Sequence, residues 1–510
     1  MNDATAATAE DILQQKLQGL SQKQQLAVRQ CFEAAKRKST RGMKYNKEWM
    51  LECILLKMRS PKLYDYIRRQ NILVIPGKTT MRKYIASYMA NFGFNENMLQ
   101  TLKEKTSTMD PFKCQGGIVI DEMKLSEHLS VDTAGRVSGF VDLGAYTPKE
   151  EKQLPCDHGL VVMFVPLTGS WSQILGTFAT RTNIKGELLA KIVLEATILA
   201  EKAGLFVNYV TCDAATWNRK MWRIMGVKAN SKEVIAKRVH TSDDKRSLYF
   251  LSDFPHLVKN IRNRLLQTSF HTPDGKVSMG PLREALKIDE NNLTLKAMPR
   301  LTKTHIEPNN FEKMRVSLAF QIFGSDSLRG LQLYKSQLEK CCGNIEPTQK
   351  FFRRMKSLIT VMTARFPGEA LRPNSPAVRD LEEFLEFLSR WEQTADKKNF
   401  LSECTTEGLR VTINSTLGLL SYLHAELGYS YLMTSRLSQH KIENLFDKPA
   451  NLYKQQQLVD LLLDAGDFES AEGSLNSSSL SAPDHPYVVQ HSDSRLTYYV
   501  AGYVVQCMHE

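Results

Sequence analysis

Three apolar runs of the sequence each end on an aspartate, and this pattern restricts the fold more than any other feature. IVID ends on Asp121, LFVNYVTCD ends on Asp213, and SLYFLSD ends on Asp253. Short runs rich in β-branched and aromatic residues predict buried strands. A carboxylate at the end of a buried strand must be neutralised, hydrogen-bonded or bound to a metal. The chemistry of this protein therefore depends on what surrounds these acids.

Further strands and helices alternate with these runs. VSGFVDLG (137–144) and LVVMFVPLTG (160–169) are expected to be antiparallel neighbours, with another short strand near 174–180. A long helix is expected from 185 to 203, and the chain after both Asp213 and Asp253 continues as helix. This order predicts an α/β fold, a mixed sheet flanked by helices.

Residues 267 to about 430 have a mostly helical pattern that interrupts the strands, as an inserted domain would. A helix predicted at 435–446 follows, with an apolar face bordered by Glu443, and His440 lies one turn earlier on the same side. After this helix the chain becomes acidic and serine-rich, which is typical of a flexible segment.

Asp121 and Asp213 are candidates for metal binding. In open sheets, ligand-binding residues collect at the C-terminal ends of strands, and Mg²⁺ prefers carboxylate oxygens. Paired metal ions support in-line attack on a phosphodiester. Glu443 is the candidate third acid, with Glu122, Asp142 and Asp253 as alternatives. Helix capping by aspartate explains such strand-end acids equally well.

The formal net charge of +12 is spread unevenly. Residues 1–110 contain 19 Lys and Arg against 10 Asp and Glu, a charge of +9, whereas residues 447–510 contain 3 against 9, a charge of −6. A basic N-terminal region is typical of a polyanion partner, most often nucleic acid. Solvated basic helices are the alternative explanation.

The cysteines and the hydropathy pattern restrict the compartment. Nine cysteines contain no C-x-x-C pair, which argues against a disulfide framework and a Cys-rich zinc module. The N-terminus carries acids where a secretory signal has a basic start, and no run of eighteen apolar residues occurs. We expect a protein of a reducing compartment, cytosol or nucleus, that neither is secreted nor spans a membrane.

The first 110 residues predict short helices. In residues 1–40, apolar residues at helical spacing allow about two heptads of a dimerisation helix, because Gly19 and Ser21 interrupt the pattern; they are Leu13, Leu17, Leu20, Leu26 and Phe32. In residues 41–110, three helices are expected, at 47–58, from Ser60-Pro61, and from Thr79 and Thr80. They resemble a helix-turn-helix, and a three-helix bundle without a DNA role is the alternative. VIPGKTT imitates the end of a P-loop, but Ile72 replaces the required glycine.

Ten blocks of sequence, taken in order, resemble the P element transposases and the related THAP-domain transposase homologues. The blocks are AAKRKSTRGMKYNKEWML, SPKLYDYIRRQNILVIPGKTTMRKYI, GIVIDEMKL, GFVDLG, TCDAATWNRKMW, SDFPHLVKNIRN, NNFEKMRVSLAFQIF, TEGLRVTINSTLGLL, SQHKIENLF and SRLTYYVAGYVV. No single block is decisive, but their order along almost the whole chain is specific.

The resemblance implies an RNase H-like DDE catalytic domain that is interrupted by a mostly helical inserted domain and preceded by a helix-turn-helix region. By motif, Asp121, Asp213 and Glu443 take the catalytic and metal-binding positions, with two Mg²⁺ ions as cofactors. The resemblance also implies a nuclear homo-oligomer that acts on DNA, both transposon ends and target, and it suggests GTP, which binds the inserted domain in the P element enzyme. The candidate DNA contacts are Lys36, Arg37, Lys38, Arg41, Lys44, Arg82, Lys83, Lys259 and Arg262.

The expected organisation has six parts. They are a helical segment (1–40), a helix-turn-helix-like DNA-binding region (41–110), the first part of the RNase H-like domain (111–266), the inserted domain (267–430), the helix with the catalytic glutamate (431–450), and an acidic, partly flexible tail (451–510).

Three features depart from the family pattern. No Cys/Cys/Cys/His spacing of a THAP zinc domain precedes Lys36, and no N-K-x-D guanine motif occurs. The glutamate motif reads SQHKIENLF where relatives tend to read SQDALENFFG, so His440, the candidate GTP contact, replaces an aspartate. These departures support an alternative: a domesticated or decayed transposase that binds DNA or chromatin without catalysis.

Overall fold

The structure, a computed structural model, describes most of the chain up to residue 443. The described residues are 16–40, 42–46, 49–50, 52–53, 56–57, 60–81, 92–125, 129–131, 137–169, 171–292 and 295–443. Those up to 81 belong to one compact unit, and those from 92 onward belong to a second. In this part of the chain, none of the helices has the length and apolar composition that crossing a bilayer requires.

The first unit contains the helices α1 (Gln22–Ala35) and α2 (Pro61–Arg69). Ser21 caps α1, since its hydroxyl accepts from the backbone N–H of Gln24 and the Gln24 side chain accepts from the Ser21 N–H. The helical segment predicted within residues 1–40 is therefore interrupted before Gln22, as expected from Gly19 and Ser21, and Leu26 packs against the unit's own core. Leu20 and Phe32 are exposed and Leu17 is buried, whereas Leu13 lies outside the described residues. Dimerisation through residues 1–40 stays a prediction.

A small core holds the segment that resembles a P-loop in a fixed turn. The indole Nε1 of Trp49 donates to the carbonyl of Val74 at 2.9 Å, and the buried hydroxyl of Tyr64 donates to the carbonyl of Pro76 at 2.8 Å. These two bonds fix carbonyl groups of the segment against the small core of the first unit. Most of the predicted third helix, with Arg82 and Lys83, lies outside the described residues.

The second unit is built on a mixed sheet. Its strands and those of three small hairpins are β1 (Gly93–Phe94), β2 (Gln115–Lys124), β3 (Ser130–Val131), β4 (Val137–Ser138), β5 (His158–Pro166), β6 (Gln173–Thr180), β7 (Phe206–Cys212), β8 (Lys228–Ala229), β9 (Val234–Ile235), β10 (Lys237–Val239), β11 (Ser247–Ser252), β12 (Phe270–Thr272) and β13 (Gly275–Val277). The main sheet has the order β1-β6-β5-β2-β7-β11-β10. Strands β2, β7 and β11 are parallel, whereas β5 and β6 are antiparallel.

The prediction for 137–144 was wrong in its partner. Strand β4 covers only the first two residues and pairs with β3, whereas β5 pairs with β2 and β6. Gly139 and Gly144 both have positive φ, at 105° and 60°, which bends the chain away from a regular strand. The short strand predicted near 174–180 is confirmed as β6.

Helices cover both faces of the sheet. They are α3 (Glu96–Thr106), α4 (Gly186–Lys202), α5 (Thr216–Ile224), α6 (Phe254–Gln267), α7 (Gly280–Glu290), α8 (Lys303–Ile306), α9 (Asn310–Met314), α10 (Val316–Ile322), α11 (Ser325–Leu333), α12 (Lys335–Cys342), α13 (Glu346–Met362), α14 (Pro376–Thr394) and α15 (Glu403–Leu427). Alternate strand residues face opposite sides: Ile118 and Ile120 share a core with α4 and α5, whereas Val119 lies in the core with α6 and α15.

The N-terminal boundary of the sheet domain lies earlier than predicted. Strand β1 pairs with β6, and the Thr106 hydroxyl at the end of α3 donates to the carbonyl of Ala203 at 2.6 Å. Residues 92–110 therefore belong with the main sheet rather than with the predicted DNA-binding region 41–110.

Residues 267–430 are mostly helical, as predicted, but they do not enclose a core of their own. One hydrophobic cluster continues from the sheet face through α6 into the inserted helices. Helix α15 packs directly on β11, where the Thr412 hydroxyl donates to the carbonyl of Ser252 at 3.0 Å and accepts from its N–H at 2.8 Å. The last part of the predicted insertion is thus a layer on the main sheet.

Candidate active site

Three aspartates stand in one row at the C-terminal edge of the sheet. The register pairs the second residue before Asp121 with the second residue before Asp213. It also pairs the residue before Asp213 with the residue before Asp253. Because these strands are parallel neighbours, the three aspartates follow at equivalent positions.

The Asp121 carboxylate lies among other negative charges. Burial raises its pKa well above the usual range, and the carboxylates of Asp213 and Glu443 raise that pKa further, with a smaller contribution from Asp253. A hydrogen bond of 2.9 Å from the backbone N–H of Glu122 opposes only part of this effect. A buried acid whose pKa is raised by burial and by neighbouring acids is typical of functional sites.

The Asp213 carboxylate is oriented by the start of α5. Its Oδ1 accepts from the backbone N–H of Ala215 at 2.9 Å and from the side-chain amide of Asn218 at 2.6 Å. Asp213 therefore does not cap α5, whose N-cap is Ala215 without a side-chain capping bond; its carboxylate orders the turn before the helix, and the described contacts engage only its Oδ1.

Glu443 lies in a tight group with Asp253 and His256. One ligand atom from each of these residues lies within 4.8 Å of the others. His256 Nδ1 is 3.6 Å from Asp253 Oδ2, and its Nε2 is 3.5 Å from Glu443 Oε1. The predicted set of Asp121, Asp213 and Glu443 is electrostatically coupled, but this tighter group contains Glu443 without the other two.

Hydrogen bonds hold the segment that carries Glu443 across the strand ends. The Tyr209 hydroxyl donates to the carbonyl of Arg436, and the Thr211 hydroxyl donates to the carbonyl of Leu437, both at 2.8 Å. The helix predicted at 435–446 is a 3₁₀ turn at Thr434–Leu437 followed by helical residues from 440 to 443. Residues beyond 443 lie outside the described part of the chain.

Sequence reasoning missed His256 and treated Asp253 only as a cap or a substitute for the third acid. The signal was D-x-x-H at a strand-to-helix junction, because residues three apart lie on the same side of a helix. A histidine at that spacing can share a ligand with the acid that precedes it.

Asp142 and Glu122, which the sequence also offered as the third acid, have structural roles. Asp142 Oδ1 accepts from the N–H of Gly144 at 2.8 Å, and Glu122 Oε1 accepts from the N–H of Ile184 at 3.3 Å. Burial raises the pKa of Glu122 to about 7.

The two predicted DNA contacts on α6 occupy different surroundings. Lys259 is partly buried, and burial lowers its pKa although Asp253, Glu443 and Asp213 oppose that shift. Its charge is therefore close to the acids. Arg262 is completely buried, and its Nη2 donates to the carbonyl of Lys313 at 2.8 Å. The prediction that Arg262 contacts DNA was wrong, because its guanidinium binds protein carbonyls inside the fold.

The basic N-terminal candidates are exposed where they are described. Arg37, Lys38 and Lys44 are exposed, and so is Lys36, which pairs with Glu33 at 2.8 Å. The remaining candidates, Arg41, Arg82 and Lys83, lie outside the described residues. DNA contact by this group stays a prediction.

The acidic residues at the sheet edge fit a hard divalent cation. The donor set consists of carboxylate oxygens with one imidazole, and oxygen donors suit Mg²⁺. Burial, and after it the neighbouring carboxylates of Asp213 and Glu443, raise the pKa of Asp121, so the protein disfavours a second or third negative charge at this place. A bound cation would supply the missing positive charge.

The sequence matches two described domain families. Residues 90–226 match the TNP-like, RNase H N-terminal domain, and residues 255–370 match the TNP-like, GTP-binding insertion domain. The transposable element P transposase of Drosophila melanogaster is 23% identical over 409 residues, which are 79% of this chain and 50% of that protein. The chain is a homologue of P element transposase.

This homologue of P element transposase is also similar to a human protein. DNA transposase THAP9 of Homo sapiens is 24% identical over 327 residues, 63% of this chain and 35% of that protein. The chain therefore spans about half the length of the Drosophila relative and about a third of the human one.

The fold of the homologue is also that of a solved P element protein. A chain of the Drosophila P element transposase strand transfer complex superposes with a TM-score of 0.69 at 19% identity, covering 90% of this chain and 98% of that chain. Together with the domain matches, this confirms the predicted fold class, an RNase H-like domain with an inserted domain.

Proposed function

We propose that this protein is a DNA transposase of the P element type, which cleaves DNA phosphodiesters and joins the resulting 3′ ends to target DNA. The observation that carries the proposal is the electrostatic coupling of Asp121 to Asp213 and Glu443 at one edge of an RNase H-like sheet. Three acids contributed by distant parts of a chain have no reason to converge for stability alone, since their repulsion destabilises the fold.

In this proposal, Asp121, Asp213 and Glu443 hold two Mg²⁺ ions. Bound ions at such a site activate the attacking water or 3′-hydroxyl and stabilise the leaving oxygen. The protein's own part is orientation: Ala215 and Asn218 fix the Asp213 carboxylate through its Oδ1. Lys259 reduces the net negative charge that an approaching DNA phosphate meets.

The exposed basic residues of the first unit would bind DNA. Arg37, Lys38 and Lys44 are suited to phosphate contacts, which depend on charge rather than sequence. Action on chromosomal DNA places the protein in the nucleus, and joining two transposon ends suits a homo-oligomer.

GTP binding is suggested only by the domain family that residues 255–370 match. His440 Nδ1 lies 4.0 Å from Glu443 Oε2, and an imidazole beside that carboxylate is not the acidic group that commonly reads guanine. His440 therefore does not supply the acidic group of a guanine contact.

A strand-transfer assay tests the proposal. The wild type is expected to join a labelled DNA end to a plasmid in Mg²⁺ but not in chelator, and Asp121→Ala and Asp121→Asn are expected to abolish joining. Asp142→Asn is the matched control, because its carboxylate orders a turn outside the acidic group. A wild type that binds DNA but is inert in Mg²⁺ and Mn²⁺ would favour the domesticated, non-catalytic alternative.

A further inference from the structure

Gln439 connects two of the acid-bearing strands from a completely buried position. Its backbone N–H donates to Asp253 Oδ1 at 2.8 Å, and its side-chain Nε2 donates to the carbonyl of Ile120 at 2.5 Å. Ile120 immediately precedes Asp121. A single residue is therefore bonded both to β2, at the residue before Asp121, and to the residue that follows β11.

Both oxygens of Asp253 are already used by the protein. Oδ1 accepts from Gln439, and Oδ2 accepts from the backbone N–H of His256 at 3.1 Å. The residue is 1% exposed. Although an oxygen of Asp253 lies within ligand distance of His256 and Glu443, a buried carboxylate that accepts two backbone N–H groups is suited to holding chain segments in place.

The bond between Asp253 and Gln439 closes the inserted part of the chain. Asp253 is the last residue before α6 leads into the insertion, and Gln439 lies 186 residues later, where the chain returns. The carbonyl of Gln439 then accepts from the N–H of Ile442 at 2.8 Å and of Glu443 at 3.0 Å. These bonds start the helical turn that carries the glutamate.

We propose that Asp253 and Gln439 form a clasp that sets Glu443 opposite Asp121, and that Asp253 is a positioning residue rather than a metal ligand. The inference rests on the proposed function in so far as Glu443 binds metal. It predicts that the hydrogen-bond acceptor of Asp253 matters and that its charge does not.

Hydrogen exchange of the backbone amides, measured in the full-length protein, tests directly whether the clasp exists. In Asp253→Leu, peptides that contain Gln439 to Glu443 are expected to exchange at least about tenfold faster than in the parent. In Asp253→Asn, the amide oxygen can replace Oδ1 as the acceptor for Gln439, whereas the amide nitrogen replaces Oδ2 and cannot accept from His256. Protection of Gln439 to Glu443 is therefore expected to remain close to that of the parent, and only His256 is expected to exchange faster. Equal exchange in the parent and in Asp253→Leu would overturn the clasp.

Mn²⁺ binding, measured by calorimetry, separates positioning from ligation. Gln439→Met keeps the side-chain volume but loses the bond to Ile120, and the Mn²⁺ affinity is expected to fall about 10- to 100-fold. Asp253→Asn is expected to lower it by less than about tenfold. Gln349→Met is the matched control, since Gln349 is equally buried and donates to the carbonyl of Leu331 at 2.9 Å, within the insertion.

Two outcomes distinguish the clasp from the proposed function. Asp253→Asn losing Mn²⁺ binding as fully as Asp121→Asn would make Asp253 a ligand and overturn the positioning role. A parent that neither binds Mn²⁺ nor cleaves DNA refutes the proposed function, whereas the exchange experiment still decides whether the clasp exists.

Discussion

Replacing Tyr209 by Phe is expected to weaken the attachment of the segment around Arg436 to the main sheet. The buried Tyr209 hydroxyl donates to the carbonyl of Arg436 at 2.8 Å and, more weakly, to that of Val165 at 3.3 Å. Phe keeps the ring and deletes only the hydroxyl, so no cavity of note forms. The cost is that of a buried carbonyl left without its donor, about 1–3 kcal/mol of unfolding free energy.

We expect a value near the lower half of that range, about 1–2 kcal/mol, because the ring packing is preserved. Guanidinium unfolding of the metal-free protein measures it. Tyr249→Phe is the control: Tyr249 is also buried, on β11, and its hydroxyl makes no hydrogen bond within the described part of the chain. Tyr249→Phe should therefore cost less than about 0.5 kcal/mol.

The same substitution should also weaken the site, because Arg436 lies seven residues before Glu443. Mn²⁺ affinity is expected to fall in Tyr209→Phe and to stay unchanged in Tyr249→Phe. Two variants with indistinguishable stability and metal affinity would refute the argument that the Tyr209 hydroxyl anchors the returning segment.

Three other predictions address charge and ligands. Burial and neighbouring acids raise the folded-state pKa of Asp121 above its unfolded value, so the protonated Asp121 is compatible with the fold at low pH and the metal-free parent loses stability as the pH rises through the folded pKa. Melting curves in chelator at several pH values should show that Asp121→Asn loses less stability than the parent as the pH rises. Parallel stability curves of the two proteins would contradict this prediction. Replacing Arg37, Lys38 and Lys44 by Gln in the full chain should weaken DNA binding. The slope of log K against log salt concentration, measured by fluorescence anisotropy, should fall in magnitude by about one unit per lost phosphate contact. An unchanged slope would exclude these residues as phosphate contacts. The variant His440→Asp should bind GTP more tightly than the parent, as measured by calorimetry. Equal binding heats for the two proteins would exclude a contact between position 440 and the nucleotide.

Local sequence patterns were sufficient for the elements that form the sheet edge. The apolar runs before Asp121 and Asp213 predicted the strands correctly, because burial on both faces gives a continuous apolar pattern. The stretch 137–144 has the right composition for a strand, but its glycines Gly139 and Gly144 adopt positive φ, and the short edge strands β1 and β10 were not predicted.

Long-range partners were beyond local patterns. Arg262 looked like a DNA contact because arginines are usually exposed, but the inserted helices bury it. Gln439 carried no signal at all, since its role depends on Asp253 and Ile120, which lie 186 and 319 residues away. Only the folded chain shows that these groups meet.

The shared core between the sheet and the inserted helices has a consequence for synthesis of the protein on the ribosome. The side of the sheet that carries Ile118 and Ile120 can be covered as soon as α4 and α5 have emerged. The opposite side, with Val119 and Tyr209, needs α6, the insertion and α15, and its core is completed only by Leu437 and Ile442. The apolar face with Val119 and Tyr209 is therefore incompletely covered while almost two hundred further residues are translated. Exposed apolar surface of this kind in a nascent chain favours chaperone binding.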